Sequence, residues 1–151
     1  MTFDLFDALP PDPDNPPRSE VLAPGAMVLR GFAREAGAEL LAAVSEVSAG
    51  SPFRHLITPG GLRMSVAMTN CGERGWVSDR TGYRYDAVDP ETERPWPAMP
   101  QLFRTLAEDA AAAAGYAGFA PDACLINRYL PGTRLSLHQD RDELDLRAPI
   151  V

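Results

Sequence analysis

Between Arg34 and Val47 the apolar residues Ala36, Leu40, Leu41, Val44 and Val47 recur at steps of three and four. That spacing lines one side of a helix with 3.6 residues per turn, so it predicts an amphipathic helix over 34–47. Leu62 to Thr69 obeys a different rule. Leu62, Met64, Val66 and Met68 alternate with Arg63, Ser65, Ala67 and Thr69, and a period of two predicts a half-buried strand. Met99 to Ala114 reads as a second helix, stopped by Gly115, a residue suited to the left-handed turn that closes a helix. Short strands are predicted at Ala26–Arg30, Cys124–Tyr129 and Leu135–Asp140. The last two are joined by Leu130-Pro131-Gly132-Thr133, whose Pro-Gly centre suits a type II turn. Ser51-Pro52 and Pro59-Gly60-Gly61 mark breaks in the chain. Taken together, the elements predict an α+β protein.

Two stretches lack a simple period. Residues 70–97 are rich in Gly, Trp, Tyr and Pro, which predicts short strands or a folded-over flap, because aromatic rings in a polar stretch must pack or stack on something. Residues 7–20 hold five of the fifteen prolines, so residues 1–20 are expected to form an extended, poorly ordered leader ahead of a domain over 21–151. At the other end, Arg147 to Val151 looks like a further strand just beginning, on Ala148-Pro149-Ile150-Val151. An apolar strand edge left unpaired is unfavourable. The expectation is therefore an incomplete sheet and a sequence that is the N-terminal part of a longer protein.

Composition narrows the class. A length of 151 residues with 45% apolar residues supports one domain with a real core. No apolar run is long enough to span a bilayer, and the start, Met-Thr-Phe-Asp-Leu-Phe-Asp, is acidic where an export signal would be basic. A cytoplasmic location without membrane attachment is expected. Cys71 and Cys124 lie far apart and form no C-x-x-C pair, which argues against a disulfide framework or a zinc ribbon and for a reducing compartment. The net charge of −7 excludes a general basic surface for nucleic acid. The acid excess is local, however, sitting in residues 1–20 and 106–125. All the basic residues are Arg, which can hold a phosphate through two parallel hydrogen bonds, although a GC-rich genome accounts for the same bias.

The sharpest local chemistry is Leu135-Ser136-Leu137-His138-Gln139-Asp140. Residues two apart on a strand point the same way, so His138 and Asp140 can present an imidazole and a carboxylate to one metal. That is two-thirds of the two-His, one-carboxylate arrangement of non-haem Fe(II) oxygenases. Alone, H-x-D is a short pattern that a surface His beside acids also satisfies. The surroundings are more specific. Asn127-Arg128-Tyr129-Leu130-Pro131-Gly132 followed by Leu137-His138-Gln139-Asp140 resembles the AlkB family of iron- and 2-oxoglutarate-dependent nucleic-acid repair dioxygenases. The resemblance runs upstream through Ser51-Pro52-Phe53-Arg54, Thr58-Pro59-Gly60-Gly61, Met64 to Gly72, Trp76, Gly82-Tyr83-Arg84-Tyr85, Pro95 to Pro100 and Pro121 to Asn127. It covers nearly everything after residue 20, in order.

This resemblance implies a double-stranded β-helix (jelly roll) with N-terminal helices, its sheet incomplete in this chain. It would have a substrate-binding flap at about 62–97 and the start of the core at about 121–151. It implies His138 and Asp140 as catalytic iron ligands, and Asn127 and Tyr129 as donors to 2-oxoglutarate, for which an amide and a phenol are suitable. Trp76, Tyr83, Tyr85, Met68, Asp142 and Thr58 fall on the substrate side. A methylated base flipped from its stack would lie between Trp76 and the His138 ring, with Asp142 at its exocyclic amino group and Thr58 and Tyr83 near the backbone. Arg134 and Arg141 could approach neighbouring phosphates.

The implied reaction is oxidative dealkylation of bases such as 1-methyladenine and 3-methylcytosine in DNA or RNA. It uses Fe(II), 2-oxoglutarate and O₂, releases formaldehyde, succinate and CO₂, and is carried out by a monomer. The family's second His and its R-x-N-x-x-x-R stretch have no counterpart here, and His55 lies in a loop where the family has no ligand. The 151 residues alone are therefore expected to be inactive. Two alternatives remain open from the residues: a non-catalytic single-stranded nucleic-acid-binding module, and a small-molecule 2-oxoglutarate oxygenase.

Overall fold

A computed structural model of the protein describes residues 18–136, 138, 140, 143 and 145–151. It has two helices and eight strands among these residues, the strands paired in four antiparallel two-stranded ladders. No closed barrel forms among them.

β1 (Arg18–Ala23) and β2 (Ala26–Arg30) make a hairpin in which Ser19 faces Leu29 and Glu20 faces Val28. The strand expected at Ala26–Arg30 is therefore present. Arg18, Ser19 and Glu20, expected within the leader over 1–20, instead pair with β2. These three follow the last proline of the stretch, and so have N–H groups to give to a ladder. The rest of the leader lies outside the described residues.

α1 (Gly37–Gly50) begins and ends three residues later than its apolar period suggests. Two successive turns precede it, with the Arg34 N–H bonded to the Gly31 carbonyl and the Gly37 N–H to the Arg34 carbonyl. They consume the residues that would have formed its first turn. The helix ends at Ser51, where Pro52 cannot continue it. α2 (Gln101–Ala113) starts after Pro100 and closes as expected at Gly115. There the Gly115 N–H reaches the Ala112 carbonyl, the Tyr116 N–H reaches the Ala111 carbonyl, and Gly115 takes φ +93°. That double bond is the Schellman ending, and its left-handed residue favours glycine.

The strand expected at 62–69 lies further along, as β3 (Ala67–Gly72). Residues 58–62 are instead spent on a turn, closed by bonds from the Gly61 N–H to the Thr58 carbonyl and from the Thr58 N–H to the Leu62 carbonyl. Val66 to Cys71 are buried without alternation, because both faces of β3 are covered. Thr69 donates to the Ser51 carbonyl at the end of α1 (2.6 Å), whereas Asn70 bonds to the backbone of Trp76 on the other side. Odd-numbered residues of β3 thus face the helix, and even-numbered ones face the flap.

β8 (Ala123–Arg128) pairs with β3, setting Met68 opposite Asn127 and Cys71 opposite Cys124. The type II turn expected after it is present, with Gly132 at φ +87° and the Thr133 N–H bonded to the Leu130 carbonyl.

The flap over 70–97 folds as short strands. β4 (Gly75–Asp79) and β5 (Gly82–Asp86) form one hairpin; β6 (Val88–Asp89) and β7 (Arg94–Pro95) form another. Trp96 is buried and donates to the Asp86 carbonyl at 2.9 Å. A Cβ on Gly75 would stand 2.3 Å from its ring. Gly75→Ala is accordingly expected to cost about 1–3 kcal/mol, the usual range for overpacking. Chemical denaturation checks it, and an unchanged midpoint would contradict the packing.

Two expected strands are not found. Among the described residues of Leu135–Asp140 and Arg147–Val151 none lies in a strand. A strand persists where a neighbour takes its N–H and C=O groups. Among the described residues the stretch after β8 reaches the earlier sheet region through side-chain bonds, Ser65 Oγ to the Arg134 carbonyl at a long 3.5 Å and Tyr85 to Glu143. Alternating side chains cannot supply the missing ladder. Leu135, Leu146, Ile150 and Val151 are correspondingly exposed.

Candidate functional site

The even face of the β3–β8 ladder is the floor of the site. Met68 and Asn127 are direct register partners there. Asn127 Oδ1 is buried with no hydrogen-bond partner, an unusual state for a buried polar atom. Asn70, next along this face, accepts from the Trp76 N–H and donates to the Trp76 carbonyl, each at 3.0 Å. This two-bond clamp fixes the flap's first strand over the floor.

The β4–β5 hairpin forms the wall. Trp76 pairs with Tyr85 and Ser78 with Tyr83, so all four side chains share one face. The diagonal pair Trp76 and Tyr83 stacks, with ring centroids 5.6 Å apart and planes 15° from parallel. Tyr85 donates to Glu143 at 2.7 Å. Burial raises its pKa, and the Glu143 hydrogen bond and nearby acidic charges raise it further, so its hydroxyl stays a donor at any ordinary pH. Thr58 Oγ1 accepts from the Leu62 N–H at 3.1 Å, leaving its own proton free to donate outward.

His138 and Asp140 come together at the open side, with Nε2 3.5 Å from Oδ1 and both side chains about half exposed. His138 Nδ1 lies 2.9 Å from the Ser136 carbonyl, a contact that needs the proton on Nδ1. In the neutral ring Nε2 then directs an unshared pair toward the carboxylate. Two electron-pair donors facing each other favour a cation between them, and orienting the ring through its other nitrogen is how metal-binding His is commonly fixed. Two ligands held at right angles about 2.1 Å from one ion stand about 3 Å apart, so a small rotation closes the observed 3.5 Å. The pair therefore fits a divalent metal as two of its ligands. Among the described residues no three His, Cys, Asp or Glu side chains gather as a metal site.

One open cavity of about 1620 Å³ is lined by Thr58, Met68, Trp76, Tyr83, Tyr85, Asn127, His138 and Asp140. Eight of the ten residues singled out in the sequence therefore share it. Tyr129 does not line it: β8 ends at Arg128 and the Tyr129 side chain is half exposed. Asp142, like Arg141, lies outside the described residues. His55 bonds through Nδ1 to the Met64 carbonyl at 2.9 Å, a local structural contact. Sequence reading missed Asn70, Ser136 and Glu143. Their roles depend on which backbone group or ring lies opposite, and no local pattern signals that.

The chain joins the His138–Asp140 pair and a buried strand amide at one cavity. It belongs to the 2OG-Fe(II) oxygenase superfamily, whose sequence pattern matches residues 25–151. Among curated proteins it is 59% identical over 138 residues to the alpha-ketoglutarate-dependent dioxygenase AlkB of Escherichia coli (strain K12), covering 91% of this chain and 64% of that protein. The AlkB of Salmonella typhimurium is 61% identical over the same shares. An AlkB homolog of Caulobacter vibrioides is 47% identical over 113 residues, or 73% of this chain and 50% of that one. The chain thus spans somewhat under two-thirds of the length of the enterobacterial relatives it matches.

Proposed function

We propose that this protein is an Fe(II)- and 2-oxoglutarate-dependent dioxygenase that removes methyl groups from ring nitrogens of bases in DNA or RNA. The observation that carries this reading is the His138 Nε2–Asp140 Oδ1 pair, oriented through Ser136 and lining one cavity with Asn127, whose side-chain oxygen is buried and unpartnered. In it His138 and Asp140 hold iron, and Asn127 holds 2-oxoglutarate. With O₂, these groups would supply the oxidising equivalents for hydroxylation of the N-methyl carbon, 2-oxoglutarate leaving as succinate and CO₂. The hydroxymethyl group then departs as formaldehyde and the base is restored.

The chain's own part is positioning. Trp76, backed by Tyr83, offers a flat apolar face to a flipped base, and stacking is worth about 1–3 kcal/mol per base. Met68 narrows the floor, and Tyr85 with Asp142 supplies polar groups toward the base edge. Thr58 donates toward the backbone, with Arg134 near a phosphate. The reading carries with it a jelly-roll core built onto the β3–β8 ladder, a monomeric state and a cytoplasmic location. Among the described residues no helix is long and apolar enough to cross a membrane.

The test is incubation of the full-length protein with a single-stranded oligonucleotide bearing 1-methyladenine, plus Fe(II), 2-oxoglutarate and O₂. Loss of the methyl group, followed by mass spectrometry, is expected. Binding without that loss would favour a non-catalytic module, and 2-oxoglutarate turnover indifferent to the oligonucleotide would favour a small-molecule oxygenase. Trp76→Ala should weaken binding of the methylated oligonucleotide by about 5- to 150-fold, the equivalent of one stacked base. It should leave 2-oxoglutarate turnover without nucleic acid largely intact. Equal loss of both would make Trp76 a packing residue only.

A further inference from the structure

We propose that Cys71 and Cys124 form a cross-strand disulfide when the protein meets hydrogen peroxide, a modification site on the β3–β8 ladder. The inference is independent of the proposed reaction.

The register is its foundation. Cys71 and Cys124 are direct partners between β3 and β8, and both thiols are free. Met68 exchanges both its backbone hydrogen bonds with Arg54, and the Gly72 N–H goes to the Pro97 carbonyl. Even-numbered residues of β3 therefore turn their backbone groups away from β8, and Cys71 turns toward it. Opposed residues of that kind have Cα atoms about 5.5 Å apart, inside the roughly 4.4–6.8 Å range that disulfides span. Register partners also send their side chains to one face. The two thiols therefore lie side by side on one face of the ladder, although their residues lie far apart in sequence.

Exposure divides the roles. Cys71 is completely buried, at 0% exposure, whereas Cys124 is partly accessible and borders the open cavity. Hydrogen bonding to Cys124, reinforced by burial, holds the proton on Cys71, and the same bond favours the Cys124 thiolate. The thiolate is the form that attacks peroxide. The Cys124 sulfur attacks one peroxide oxygen, the O–O bond breaks, and the departing hydroxide takes up the thiol proton as water. The resulting sulfenic acid is attacked by the Cys71 sulfur. The S–O bond breaks and a second water leaves with the Cys71 proton. Two thiols have then lost two protons and two electrons, and one hydrogen peroxide has become two waters.

The test uses the reduced wild-type chain. It is treated with equimolar hydrogen peroxide, blocked with an alkylating reagent and read by intact mass and peptide mapping. The expected result is loss of two hydrogen masses, alkylatable thiols falling from two to none, and a peptide linking Cys71 to Cys124 that dithiothreitol separates. Cys124→Ser should leave Cys71 reduced under the same exposure. Three results would each overturn the proposal: both thiols still alkylated, oxygen adducts building up on Cys124 while Cys71 stays alkylatable, or a link between two chains.

Discussion

Replacing His138 by alanine is expected to abolish Fe(II)-dependent turnover of 2-oxoglutarate and release of formaldehyde in the full-length protein. The ring supplies one of the two facing electron-pair donors of the half-site, 3.5 Å from Asp140. Loss of a group that merely orients a metal ligand commonly costs 10–100-fold in affinity or activity, so loss of a ligand should cost more than about two orders of magnitude. The side chain is about half exposed, so the melting temperature should change little. That separates a metal role from a packing role. Turnover at the wild-type rate with unchanged iron affinity would contradict the assignment.

Replacing Arg54 by methionine is expected to give the largest loss of stability, about 3 kcal/mol. Arg54 is mostly buried and bridges Asp89 at 2.6 Å, itself only 5% exposed, and Glu91 at 2.5 Å. Its guanidinium also lies 5.5 Å from the centre of the Trp96 ring. Removing one member of a buried pair strands the other charge, which costs about 3–5 kcal/mol. The exposed Glu91 adds little.

The pH dependence carries the sign. Burial acts to raise the Asp89 pKa, but hydrogen bonds from Arg54, the Glu91 N–H and Thr92, with the Arg54 charge, leave it net lowered. A carboxyl lowered in the folded state stabilises the fold above its unfolded pKa of about 4. That contribution is lost as pH falls through the lower folded value. Without Arg54, burial is opposed only by the weaker bonds. The gap between wild type and Arg54→Met should therefore be widest near neutrality and narrow below about pH 4. Urea denaturation across pH checks it, and a gap independent of pH would contradict the buried pair.

Local physics was readable wherever it decided the outcome. The periods in α1 and α2, the Pro131-Gly132 turn and the left-handed stop at Gly115 all express preferences of a few neighbouring residues, and they form as expected. Boundaries moved where a competing turn claimed the same residues, as at Gly31–Gly37 and Thr58–Leu62. Strand identity failed at Leu135–Asp140 because a strand depends on a distant partner that alternation cannot reveal.

The site follows the same division. His138 and Asp140 are close in sequence and come within 3.5 Å of each other, although none of the described residues around them lies in the strand expected to align them. The Asn70 clamp on Trp76, the Tyr85–Glu143 bond and the facing of Cys71 and Cys124 arise from long-range register. Nothing in the local pattern announces them. A pair of cysteines that reads as unrelated in sequence becomes a pair of direct register partners between β3 and β8.

The central claim is that one site couples consumption of 2-oxoglutarate to restoration of a methylated base. The most direct test measures succinate, formaldehyde and repaired base together in one sample of full-length protein with Fe(II), O₂ and methylated single-stranded DNA. The account predicts equal amounts of formaldehyde and repaired base, matched by the succinate formed beyond the DNA-free background, and none when 2-oxoglutarate is omitted. Succinate formed no faster with the methylated DNA than without it, or repair without 2-oxoglutarate, would contradict it.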